Sequence, residues 1–164
     1  MDRASDSGSD DWRFDPSQAR IMKFEFSAGG IVFKKSQQGI EVLLCQHSYH
    51  HGWGFPKGLI GDKIHGEKKE ETALREVEEE TGASGVIIEP LEPVTYWYKF
   101  EEQKIKKTVY YFVMKYNSGD ITKHDFEMED VRWVESDKVL EKLTFKSDKT
   151  VFEKALPIIQ SLVK

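Results

Sequence analysis

Cysteine is almost missing from this chain: Cys45 stands alone among 164 residues. A single thiol excludes an internal disulfide framework and suits a reducing compartment. Its place in the apolar run Val42-Leu43-Leu44-Cys45 reads as a buried strand thiol rather than a nucleophile. Long apolar runs are missing too, and nothing approaches the roughly 20 residues that a membrane-spanning helix needs. The N-terminus is acidic and polar, without the apolar segment of a secretory signal, so a cytoplasmic protein with no membrane partner is expected. An excess of basic charge is also lacking. The net charge of −5 offers no basic face for duplex nucleic acid, although a nucleotide or an RNA end stays open. Internal repeats are absent.

What is present suits one globular domain: hydrophobic residues make up 38% and aromatic residues 12% of the chain, on a length sufficient for a core. Residues 1–22 are Ser/Asp-rich and aperiodic, the pattern of a flexible tail, in which Trp12 and Phe14 break the polarity. The domain is expected over 23–164. Phe24 to Phe33 reads as a strand whose paired glycines, Gly29 and Gly30, suggest close backbone approach or a bulge. The turn at Ser36–Gly39 leads to a second strand over Ile40–Gln46. A β stretch follows Gly82, and Val94–Phe100 and Lys106–Met114 form an aromatic hairpin. Alternation puts Tyr96, Tyr98 and Phe100 on one face and Trp97 with Lys99 on the other. Val131–Val134 is a short strand, 136–142 a short helix, and 149–163 a final helix with Val151, Ala155, Leu156, Ile159 and Leu162 at helical spacing. Strands alternating with helices imply an α/β domain with a mixed sheet packed between helices.

The densest charge lies between Glu67 and Glu80, where seven glutamates face two lysines and one arginine. On a helix over 68–81, Glu76, Glu79 and Glu80 share one face at i, i+3 and i+4. Ala73, Leu74 and Val77 give that helix an apolar anchor, and Gly82 is its stop. Such a run taken alone is most often a solvated face. Clustered carboxylates repel each other unless a hard cation ligates them, and Mg2+ prefers carboxylate oxygens and bridges to phosphates. Upstream lies Trp53-Gly54-Phe55-Pro56-Lys57-Gly58, a stiff loop whose Lys57 places an ammonium where phosphates would sit. His47, His50 and His51 precede it. Their loose spacing beside a hard-metal motif argues against zinc, while His51 is a candidate phosphate or substrate contact.

At these residues the chain resembles a known signature. Gly61, five residues, Glu67, seven residues, then Arg75-Glu76-Val77-Glu78-Glu79-Glu80-Thr81-Gly82-Ala83 is similar to the Nudix box of hydrolases that cleave nucleoside diphosphates linked to another moiety. Its last position is Ala83 instead of a larger aliphatic. In similar sequences the glycine of Pro-Lys-Gly opens the box; here Gly58 lies three residues early and Gly61 takes the spacing. The resemblance implies a Nudix-type α/β/α sandwich with a mixed central sheet. It implies Glu76, Glu79 and Glu80 as ligands of Mg2+ or Mn2+, completed by a carbonyl of Gly58 or Gly61. Glu67 is then a site carboxylate, and Arg75 orients the glutamates. A general base outside the box is expected on the acidic loop before Arg132-Trp133, with Glu127 the first candidate and Glu129 the second.

For substrate, the resemblance is to diadenosine polyphosphate hydrolases, carried by Trp53 with Pro56-Lys57-Gly58, Tyr96-Trp97-Tyr98, Lys106-Lys107-Thr108 and Arg132-Trp133. It implies asymmetric hydrolysis of diadenosine tetraphosphate to ATP and AMP, with Tyr96 or Tyr98 stacking a base and Lys106 among the polyphosphate contacts. The competing readings are a nucleoside triphosphate or nucleotide-sugar pyrophosphatase, an RNA 5′-pyrophosphohydrolase, a diphosphoinositol polyphosphate hydrolase, and a silent domain that only binds nucleotides. The intact glutamate set argues against the last. A monomer and a homodimer both suit the sequence.

Overall fold

Two long strands form the spine of the sheet. In the computed structural model, which describes residues 22–164, β1 (Met22–Ser36) and β7 (Gln103–Gly119) run parallel, from Met22 opposite Lys104 to Phe33 opposite Lys115. The remaining pairings are antiparallel. β2 (Gly39–His47) flanks β1 and carries β3 (Trp53–Gly54) and β8 (Met128–Glu135). β4 (Lys57–Leu59) pairs with the early part of β1. β5 (Ala83–Pro90) and β6 (Val94–Phe100) both pair with β7. The expected mixed sheet is present. Trp12, Phe14 and the rest of 1–21 lie outside the described residues, and Met22, placed in the tail from sequence, is the first residue of β1.

Period-2 alternation gives this sheet two apolar faces. Ile31, Phe33, Val42, Leu44, Val109, Tyr111 and Val113 face the helix α3 (Lys146–Val163) through its Val151, Phe152, Ala155 and Ile159. Val32, Leu43, Cys45, Phe112 and Met114 face the other way, onto Ala73 and Val77 of α1 (Lys69–Thr81). A short α2 (Val139–Lys142) follows a 3-10 turn at Ser136–Lys138. The result is helix, sheet, helix. Fully burying Phe152 alone contributes about 1.5–3 kcal/mol.

The helices differ from expectation in informative places. Leu74, expected in the apolar stripe, is exposed, and so is Leu162 on α3. The buried face of α1 is completed instead by Thr72, Glu76 and Glu80, so carboxylates occupy positions where aliphatic residues normally anchor a helix. α3 starts at Lys146 rather than 149, because Phe145 turns the chain into the helix without any side-chain cap. α1 stops as expected at Gly82, whose φ of 78° is left-handed and whose N–H donates to the Glu78 carbonyl. The paired glycines do mark close backbone approach, since the Gly30 N–H donates to the Pro56 carbonyl at 3.2 Å.

Candidate active site

Arg75 is the hub from which the site is built. Its Nε and Nη2 grip the two oxygens of Glu67 at 2.9 and 3.0 Å, while Nη1 reaches Glu76 at 2.9 Å and Glu79 at 3.1 Å. Such fork-on-carboxylate pairing fixes orientation as well as charge. Thr72, in the first turn of α1, donates back to Glu67 at 2.7 Å, and that carboxylate is buried. The Arg75 hydrogen bonds hold Glu67 below the usual carboxylate range. Glu79 is half exposed. Burial pushes it upward, but hydrogen bonds from Lys63 at 2.6 Å and from Arg75 outweigh that and leave it low.

Glu76 and Glu80 are different in kind. Both are buried, and burial raises both carboxyls; for Glu80 it outweighs a hydrogen bond from the Lys57 N–H at 2.9 Å and lifts the group to about 8. Removing charge from water disfavours the ionised form unless a countercharge arrives. The two candidate glycines separate cleanly here. A Cβ on Gly58 would lie 2.1–2.5 Å from the Glu76 carboxylate, so Gly58 backbone and that side chain are in direct apposition. Gly61 has a φ of 78° and meets nothing closer than the Ile64 carbonyl at 3.9 Å.

Among the described residues no three His, Cys, Asp or Glu side chains form a ready-made metal cage, because Glu76 and Glu79 are turned onto Arg75 and Glu79 also onto Lys63. The donor set nevertheless suits a hard divalent cation. Three carboxylates, Glu67, Glu76 and Glu79, converge on Arg75, and Glu80 beside them on the same helix face is buried with no ion pair among the described residues, a set that a hard cation would complete.

Glu80 opens onto a cavity of about 920 Å³. Four of the candidates named from sequence, Lys57, Tyr96, Tyr98 and Glu127, line it. Lys57 is held charged: burial works against the ammonium, but Asp148, Tyr96 and Glu80 outweigh it. Tyr98 donates to Glu25, while Tyr96 leans against Tyr98 with ring centroids 6.3 Å apart.

Three expected residues are not brought there. His51 and Glu129 pair with each other at 2.6 Å, both outside the cavity lining. Lys106 has its ammonium over the Trp97 ring, 5.7 Å from the centroid. Its neighbour Lys107, directly opposite Tyr96 in the ladder, lines the cavity instead. Sequence reasoning also missed His50, stacked on His47 at 4.4 Å and edge-on to Phe145, together with Lys146 and Asp148. Lys107 could have been found by carrying the Tyr96 alternation across the hairpin. For Asp148 no local signal existed.

The chain is 33% identical over 144 residues to a protein named MutT4 from Mycobacterium tuberculosis (strain CDC 1551 / Oshkosh), covering 84% of this chain and 57% of that protein. It therefore spans little more than half the length of that relative. It is 31% identical over 126 residues to the asymmetrical bis(5′-nucleosyl)-tetraphosphatase of Rattus norvegicus, covering 75% and 83%. The crystal structure of a Caenorhabditis elegans Ap4A hydrolase binary complex superposes with a TM-score of 0.66 at 23% identity, covering 84% of this chain and 98% of that one, which shows the fold. The family model described as NUDIX domain matches residues 23–155, and this chain belongs to that family.

Proposed function

We propose that the chain is a metal-dependent hydrolase of a pyrophosphate bond in a nucleotide, with diadenosine tetraphosphate cleaved asymmetrically to ATP and AMP as its substrate reaction. One observation carries the reading: the buried carboxylates Glu76 and Glu80 meet the Lys57–Gly58 backbone, and Glu80 opens onto a cavity lined with lysines and aromatic rings. The tetraphosphatase relative supports the choice of substrate. Glu76, Glu79 and Glu80, with the Gly58 carbonyl, would hold Mg2+ or Mn2+. When bound, such a cation neutralises pyrophosphate charge and lowers the pKa of water.

The chain's own residues do the rest. Arg75 and Glu67 keep the α1 carboxylates oriented. Lys57 and Lys107 face the polyphosphate from the cavity wall. Tyr96 and Tyr98 give a base an aromatic surface, worth about 1–3 kcal/mol per stacked base. Glu127 takes the proton of the attacking water as its oxygen bonds to phosphorus and the P–O bond to the departing nucleotide breaks. Among the described residues no helix is long and apolar enough to cross a membrane. We place the protein in the cytoplasm, acting as a monomer or homodimer on a free nucleotide.

The test is incubation of purified protein and Mg2+ with diadenosine tetraphosphate, nucleoside triphosphates, a nucleotide sugar and 5′-triphosphorylated RNA, with product identification. ATP and AMP in equal amounts are expected. An intact dinucleotide beside rapid cleavage of another substrate would overturn the substrate assignment.

A further inference from the structure

Four carboxylates are buried among the described residues, and Asp148 is the one outside the α1 network. It sits in the first turn of α3, 5% exposed, on the wall of the cavity. The Tyr111 hydroxyl donates to its Oδ1 at 3.2 Å. Its Oδ2 faces Gly54, where a Cβ would come within 2.8 Å, so the strand β3 leaves just enough space for the carboxylate. An ionised carboxylate accepts about four hydrogen bonds, and Tyr111 supplies one. Burial pushes the Asp148 carboxyl up, and Lys57, on the same cavity wall, offsets this only in part, without forming an ion pair to it among the described residues.

Resting on the reading of the cavity as a nucleotide site, we propose that Asp148 is a specificity residue that accepts a hydrogen bond from an amino N–H of the nucleobase. Phosphate is excluded as its partner by like charge, and belongs with Lys57 and Lys107. The group meeting Asp148 must be a hydrogen-bond donor, which on a nucleotide means an N–H or O–H of the base or sugar, and Tyr96 lines the same cavity. An aromatic wall shared with an acceptor suits a flat heterocycle with an N–H edge better than it suits a sugar. A buried acceptor left unpaired by the wrong ligand discriminates strongly against it.

The test compares kcat/KM of the full chain, Asp148→Asn and Asp148→Ala on diadenosine tetraphosphate, on the dinucleotide whose base is purine without the amino group, and on the 2′-deoxy dinucleotide. Wild type should prefer the amino-bearing base by about tenfold or more. Asp148→Ala should erase that preference, and Asp148→Asn, nearly the same shape with one acceptor oxygen, should keep part of it. Equal proportional losses on both bases would show a purely structural role and overturn the proposal. Coupling to the 2′-deoxy change instead would assign Asp148 to the ribose, overturning it as well. A folded wild-type chain that cleaves neither these dinucleotides nor any nucleotide of the panel above would overturn the nucleotide reading itself, and this assignment with it.

Discussion

Glu80 holds its proton far longer in the folded protein than in the unfolded chain. Its carboxyl rises from the ordinary 4.5 to about 8 on burial. A raised carboxyl contributes its stability in full below pH 4.5 and loses it as pH climbs through 8, because the unfolded chain releases the proton first. In chelator, the melting temperature should therefore fall between about pH 5 and pH 8. Glu80→Gln should flatten that slope while cutting turnover about 100-fold or more. A melting temperature that climbs across the window would contradict this account. The acidic loop offers a second comparison. Glu127 faces the cavity and adds to the field at Glu80, whereas Glu129 is tied to His51. Steady-state kinetics should show a loss of about 100-fold or more for Glu127→Gln, and near wild-type rates for Glu129→Gln.

At the scale of elements, the apposition of β4 and α1 sets the site. Gly58→Ala would drive a methyl into the Glu76 carboxylate, and either β4 or the side chain must yield. Activity should drop tenfold or more with the circular dichroism spectrum unchanged; full activity would remove Gly58 from the site. The elements themselves show what the sequence could reveal. α1 was legible within one residue, because carboxylate spacing and Gly82 mark its face and its end. Its depth was not: Glu76 and Glu80 look solvated in a charged run, and Leu74 looks like an anchor, until the sheet shows which side is covered. β3 and β4 hid inside a loop, being too short for any periodicity. Lys106 and Lys107 are adjacent on a strand and so face opposite ways; only the register with Tyr96 distinguishes them. Asp148 falls just outside the helix expected over 149–163, and nothing local marks it. Its burial comes from Tyr111 and Gly54, both remote in sequence.

For the whole molecule, a bound divalent cation would act as a ligand of the native state alone, since only folding gathers Glu76, Glu79 and Glu80. Saturation at 100 times the dissociation constant adds about 2.7 kcal/mol, so Mg2+ or Mn2+ should raise the melting temperature above that in EDTA by several degrees. An unchanged melting curve at millimolar cation would argue against the site. The parallel pairing of β1 with β7 has a consequence for biosynthesis. Met22 meets Lys104 and Phe33 meets Lys115, so α1 and every candidate ligand it carries belong to the span of chain enclosed by that pairing. A ribosome must deliver the chain past residue 115 before the central ladder can close, and such long-range closure is slow. Until then the glutamates are an acidic stretch of nascent chain, and the site can assemble only once that ladder has closed around them.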